Sequence, residues 1–134
     1  MKLEEFRIKH SLLIEQYQFI ELHLEGIYAS ICKNGFYKGL EEVEKSNMSQ
    51  ILYWIKKIQE DDDSEIISKE LFVRIEKSIC RRNFWCHNCY TDMVFKLNGE
   101  PRKDSDIKAM ISDLLEAEQL REELFNLKIN IQHV

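Results

Sequence analysis

The sequence predicts an all-α protein, an up-and-down bundle of four to five helices that forms one domain over residues 1–134. Apolar residues recur at steps of three and four along most of the chain. No segment shows the apolar-polar alternation of a half-buried strand, and the chain has one proline. With 134 residues and 44% hydrophobic composition, it can bury one core. Packing helices side by side is the simplest way to bury such stripes.

The N-terminal third of the chain has the clearest helical period. Most of its apolar residues follow one another at intervals of three or four positions, with Glu, Lys and Gln between them: Phe6, Leu13, Tyr17, Ile20, Leu24, Ile27 and Ile31. We expect one long amphipathic helix here, interrupted by Asn34-Gly35 and Gly39. The acidic run at residues 40–45 is expected to be a connecting turn of helix outside the core.

Asn47 and Gln50 have the spacing of a capping box at the start of a second helix. Its expected apolar face comprises Met48, Ile51, Leu52, Ile55 and Ile58, with Trp54 at the edge. The acidic run at residues 61–63, followed by Ser64, is expected to end this helix and to precede a third, because negative charge favours a helix N-terminus.

The third helix is expected from about Glu65 to Leu97, where Asn98-Gly99-Glu100-Pro101 stops it. A fourth helix then starts at Asp104 or Ser105. Its expected buried stripe comprises Ile107, Met110, Ile111, Leu114, Ala117 and Leu124, with polar or frayed sequence beyond.

Charge and hydropathy limit the partners of the chain. The formal net charge of −5 argues against a generally basic nucleic-acid-binding surface but allows a local basic patch. The first residues carry acids without an apolar signal core, and no apolar run approaches the roughly 18 residues of a membrane span. We therefore expect a cytoplasmic protein without a membrane partner. Its four cysteines, Cys32, Cys80, Cys86 and Cys89, are expected to be free thiols.

The most informative segment, residues 78–90, lies on the third helix. Projected at about 100° per residue, Arg82 falls inside the apolar arc of that helix. Asn83, His87 and Tyr90 share the next sector, and Arg74, Lys77 and Arg81 line the opposite flank. A guanidinium and an imidazole beside a basic stripe indicate a phosphodiester site.

Structural explanations compete with that interpretation. Arg82 could pair with a buried carboxylate, or the helix could kink near residue 80 and change the projection. Phe84, Trp85 and Tyr90 fit packing roles, His87 fits a hydrogen-bonded histidine, and the basic stripe fits a solvated face.

The string Arg82-Asn83-Phe84-Trp85-Cys86-His87 resembles the motif of the HEPN superfamily (higher eukaryotes and prokaryotes nucleotide-binding domain). Its members are helical bundles with an Arg and a His four to six residues apart, commonly with a polar residue after the Arg. The resemblance implies a metal-independent endoribonuclease of toxin or anti-phage defence type, whose site is completed in a homodimer. It implies catalytic residues Arg82, Asn83 and His87, and no metal or other cofactor.

The predicted partner is RNA, with Lys77, Arg81 and Tyr90 as candidate contacts to the strand or its phosphates. An antitoxin protein is a further expected partner. In a subset of these toxins, a nucleotidyltransferase antitoxin modifies a tyrosine two residues after the His. Tyr90 departs from that pattern because it lies three residues after His87.

The hypothesised reaction is attack of the ribose 2′-hydroxyl on the adjacent phosphate, which leaves a cyclic phosphate. His87 would move protons, Arg82 would stabilise the charge on phosphorus oxygens, and Asn83 would orient the imidazole or bind phosphate.

Three other functions fit parts of the sequence. The same cleft could bind a nucleotide or RNA without cleaving it. Cys80, Cys86, His87 and Cys89 carry the atoms of a zinc site, although adjacent helical residues such as Cys86 and His87 point about 100° apart. The long first helix could also serve as a dimerisation element.

Overall fold

The computed structural model describes residues 2–88 and 104–132. These residues form five α-helices and one π-helical turn, and no strand occurs among them. The elements are α1 (Leu3–Ile31), α2 (Phe36–Glu44), α3 (Met48–Asp61), α4 (Lys69–Asn83), the π turn (Phe84–Asn88) and α5 (Asp104–Gln132). The prediction of an all-helical chain with four to five helices is confirmed for the described residues.

The two longest helices, α1 and α5, lie side by side and run parallel. Arg121 donates to Gln16, and seven residues further along both helices Lys128 donates to His23. Because the residue numbers rise in the same direction on both helices, α1 and α5 run parallel.

Helix α4 runs in the opposite direction, between α1 and α5 on one side and α3 on the other. Arg74 near its start pairs with Glu123 near the end of α5, whereas Arg81 pairs with the earlier Asp113. Arg82 also contacts Met48 at the start of α3. The described helices thus alternate in direction, with short α2 returning the chain from α1 to α3.

The core contains the apolar stripes of all five α-helices. On α1, the expected stripe is buried from Phe6 to Ile27, and Ile31 is half-buried. The fully buried side chains include Leu13, Ile20, Leu24, Ile27, Ile51, Ile55, Ile75, Trp85, Met110, Leu120 and Leu124. Among the described helices, none combines the length and apolarity needed to cross a bilayer.

The segment expected to be a connecting turn of helix outside the core is helical, but it contributes to the core. Helix α2 has nine residues, and its Val43 is buried. A Cβ added to Gly39 would lie 2.8 Å from the Ala29 Cα and 2.6 Å from the Cys32 Sγ, so the glycine permits close contact with α1. Gly39 therefore marks a helix contact, and the prediction that it interrupts helical structure was wrong.

Helix α3 follows the prediction closely. Asn47 and Gln50 form the reciprocal capping box, and the helix ends at Asp61. Helix α4, however, begins at Lys69 and not near Glu65, with Ser68 accepting a hydrogen bond from the Leu71 amide.

The later start of α4 has a local cause. The side chain of Gln59 accepts hydrogen bonds from the Ile66 and Ile67 amides and donates to the Ile67 carbonyl. The side-chain amide of Gln59 thus hydrogen-bonds three backbone groups, which would otherwise need hydrogen-bond partners within a helix or from water. The predicted continuation of the third helix over residues 89–97 lies outside the described residues.

Helix α5 begins at Asp104, as expected, but continues past Leu124 to Gln132. Its buried stripe includes the unpredicted Leu120, whereas Ile111 is 39% exposed. Leu120 lies three residues after Ala117 and four before Leu124, so it fits the same period. Ile111 lies on the edge of the helix that faces away from the core.

Candidate functional site

The predicted Arg-His motif spans the junction between α4 and the π turn. On a continuous α-helix, Arg82 and His87 would point about 140° apart, since five residues turn the chain by about 500°. A π turn has i→i+5 hydrogen bonds and therefore turns the chain less per residue. The projection on a continuous α-helix is wrong beyond Asn83, and the change brings His87 nearer to the side of Arg82.

Trp85 fixes the inner side of the π turn. Its side chain is fully buried, and its indole Nε1 donates to Asp113 Oδ2 at 2.7 Å. Its carbonyl accepts a hydrogen bond from His10 Nε2 at 2.7 Å. The packing role expected for Trp85 is confirmed, and the turn is attached to both α1 and α5.

Arg81 braces the same junction. Its Nε donates to Asp113 Oδ2 at 2.6 Å, and its guanidinium carbon lies 5.1 Å from the Phe84 ring centroid. Arg81 and Trp85 therefore share one carboxylate oxygen. The predicted RNA contact by Arg81 stays a prediction, and it would have to use the guanidinium nitrogens that Asp113 leaves unpaired.

Elsewhere in the basic stripe, Arg74 faces acids of α5. Arg74 donates to Glu116 Oε1 at 2.8 Å and also pairs with Glu123, and these bonds raise the pKa of Arg74. Lys77 is exposed and forms no ion pair with any residue that the structure describes. The stripe is thus largely neutralised, which the sequence did not indicate because the acids lie 32 to 49 positions away.

Arg82 is held less firmly than Arg81. Its Nη1 lies 3.5 Å from Glu21 Oε2 and 3.0 Å from the Met48 sulfur, and its Nη2 lies 3.4 Å from Asn83 Oδ1. A thioether is a weak acceptor, and the two oxygen contacts are long. The carboxylate pairing considered for Arg82 is present, but its side chain remains 24% exposed.

Asn83, Cys86 and His87 are exposed at the same end of the bundle. Partial burial raises the pKa of the Cys86 thiol, while the positive charge of nearby Arg82 lowers it. Tyr90, the remaining predicted site residue, lies outside the described residues.

The zinc hypothesis finds no support in the described part of the chain. No three His, Cys, Asp or Glu side chains there are grouped closely enough to hold a metal ion. Cys89, one of the four hypothesised ligands, falls outside that part. Cys32, Cys80 and Cys86 are free thiols, as expected.

A second polar cluster, not anticipated from the sequence, lies between α1 and α5. It comprises Gln16, His23, Arg121 and Lys128 beside a cavity of about 520 Å³. A signal for it exists, because Gln16 and His23 are seven residues apart on α1, and Arg121 and Lys128 are seven apart on α5. Matched polar pairs at this spacing lie on one side of each helix.

Comparison of the chain with protein-family models, with curated proteins and with solved structures gave no match.

Proposed function

We propose that this chain is a metal-independent endoribonuclease of the HEPN type, acting as a toxin or defence effector through Arg82, Asn83 and His87. The main support is the change from α-helix to π-helix inside the motif, between Asn83 and His87. π-Helical turns are rare and occur frequently at functional sites. At this junction Arg82 is partly exposed and His87 is exposed.

Arg82 is suited to binding a phosphate that gains charge during the reaction. Its present partners are one carboxylate oxygen at 3.5 Å and neutral acceptors. A bidentate guanidinium-phosphate pair is stronger than these contacts, so RNA would displace Glu21. Stabilisation is greatest in the transition state, where the phosphorus oxygens carry most charge.

His87 supplies the proton transfer in this proposal. An imidazole can remove the proton of the ribose 2′-hydroxyl or protonate the leaving 5′-oxygen. A second copy of the chain would supply the complementary histidine in a homodimer. Because the nucleophile belongs to the RNA itself, this reaction needs no metal-bound water.

The mechanism has a direct chemical test. An RNA oligonucleotide should be cut to products with a 2′,3′-cyclic phosphate, whereas the same sequence with 2′-O-methyl riboses should bind without being cut. Cleavage of the methylated strand would contradict the proposed attack by the 2′-hydroxyl.

A binding module that does not cleave RNA is the second candidate, and the pairing of Arg82 with Glu21 favours it. The Glu21→Gln variant distinguishes the two functions. In an enzyme, releasing Arg82 should raise the cleavage rate several-fold. In a binding module, it should tighten RNA binding with no cleavage at any concentration, as measured by gel assay and fluorescence anisotropy.

A further inference from the structure

The groove between α1 and α5 contains a cavity with its own chemistry. Its volume is about 520 Å³, and its lining residues are Gln16, Phe19, His23, Glu118, Arg121, Glu122 and Phe125. This cavity contains none of the residues of the Arg82-His87 site. It therefore presents a separate set of groups to any ligand.

Two cations border the cavity, and each lies over an aromatic ring. Arg121 donates to Gln16 Oε1 at 3.1 Å, and its guanidinium lies 4.2 Å from the Phe19 centroid. Lys128 donates to His23 Nδ1 at 3.0 Å, and its ammonium lies 5.5 Å from the Phe125 centroid. Among the residues that the structure describes, no carboxylate forms an ion pair with either cation.

The hydrogen-bond partners of these cations are neutral and buried. Gln16 is 7% exposed and His23 is 5% exposed. Burial, with the charges of Lys128 and Arg121, lowers the pKa of His23 to about 4, so the imidazole is neutral at physiological pH. The direct hydrogen-bond partners of these two half-buried cations are thus neutral, so an anion bound beside them would gain charge-assisted hydrogen bonds.

Gly26 makes room for Lys128 at this position. A Cβ on Gly26 would lie 2.7 Å from the Lys128 Cδ, so the lysine stem crosses α1 directly over the glycine. Glycine inside a helix is less favourable than alanine by roughly 0.5–1 kcal/mol. Because Gly26 has no side chain, the Lys128 stem can cross α1 here and place its ammonium against His23, at the edge of the cavity.

We propose that this cavity binds a small organic anion, a phosphate or carboxylate joined to a flat apolar ring. The anionic end lies between Arg121 and Lys128, and the ring lies against Phe19 and Phe125. Glu118 and Glu122 line the same cavity and repel the anionic end, so they direct it toward the two cations.

Phenyl phosphate is a suitable probe, with inorganic phosphate as the comparison that lacks the ring. Calorimetric titration should show tighter binding of phenyl phosphate, and Arg121→Gln or Lys128→Gln should weaken it about tenfold or more, as expected for lost charge-assisted hydrogen bonds. Lys57→Gln, which removes an exposed lysine on α3, is the matched control and should leave binding unchanged.

Two further variants keep the test decisive if loss of a cation affects folding. Gly26→Ala retains both charges but displaces the Lys128 stem, and it should weaken binding. Glu122→Gln removes a repelling charge and should tighten binding. The proposal is overturned if phenyl phosphate does not bind, or if folded Arg121→Gln and Gly26→Ala bind it as the wild type does.

Discussion

Arg81 and Arg82 are neighbours in the sequence, yet they have different surroundings. Arg81 shares Asp113 with the buried indole of Trp85, whereas the only carboxylate contact of Arg82 among the described residues is a long one to Glu21. The sequence predicted a catalytic role for Arg82 from the motif and an RNA contact for Arg81 from the basic stripe. The structure gives Arg81 a bracing role at the α4–α5 contact and leaves Arg82 as the better candidate for phosphate.

Asp113 is expected to contribute strongly to stability. Asp113→Ala would leave the buried Trp85 N–H and the Arg81 guanidinium without their shared acceptor, at a cost of about 3 kcal/mol. Urea unfolding should measure this loss. Glu41→Ala removes the exposed partner of Lys38 and should change the free energy of unfolding by less than about 0.5 kcal/mol. Equal effects of the two substitutions would contradict the bracing role.

His23 should make stability depend on pH. Its pKa is lowered to about 4 in the folded protein by burial and by Lys128 and Arg121. The unfolded chain binds this proton near pH 6.5, so the stabilisation is complete above about 6.5 and is lost as pH falls toward 4. Unfolding at several pH values should show a loss that His23→Gln removes, and histidine NMR signals should give the pKa directly. A His23 pKa near 6.5 would refute the assignment.

The predictability of individual residues depended on how local their contacts are. The capping box of Asn47 and Gln50 follows from a three-residue spacing, and it was predicted correctly. The partners of Arg74 and Arg81 are set by how α4 packs on α5. A single sequence carries no direct signal for such long-range pairs.

At the scale of elements, the main surprises are α2 and the π turn. Both lie where the chain packs closely against other helices, and the spacing of apolar residues in the sequence does not predict such contacts. Gly39 looks like a helix breaker in the sequence, but it permits α2 to approach α1. Trp85 fits a continuous helix in the sequence, but its burial against α1 and α5 accompanies a change of helical pitch.

Two glycines should respond oppositely to alanine substitution. Gly39→Ala places a methyl group against the Ala29 backbone at 2.8 Å and should destabilise the fold by about 1–3 kcal/mol. Gly26→Ala meets only the flexible Lys128 stem, so its gain in helix propensity should leave stability equal or slightly higher. Thermal unfolding of both variants checks the contrast, and a tolerated Gly39→Ala would show that α2 is not packed closely on α1.

At the scale of the whole molecule, the all-helical class, both ends of α3 and the start of α5 could be predicted because each long segment keeps a clear apolar period. The side-by-side parallel arrangement of α1 and α5 could not, since nothing local distinguishes it from an antiparallel pair. The polar cavity between them was missed for the same reason. The HEPN resemblance and the function that it implies stay predictions.

The proposed function requires two copies of the chain at one site. Sedimentation equilibrium is therefore expected to give twice the chain mass of 16.1 kDa at micromolar concentration. A purely monomeric protein that still cleaves RNA would show that one copy of His87 is sufficient.

The most direct test of the central claim is cleavage of a mixed RNA substrate by the purified protein in EDTA, with Arg82→Ala, His87→Ala and the surface control Lys57→Ala. The account predicts cleavage by the wild type and by Lys57→Ala, and a loss of at least about a hundredfold in both site variants, as expected when a proton-transfer group or a transition-state donor is removed. Full activity of folded His87→Ala, or no cleavage by the folded wild-type dimer, would contradict it.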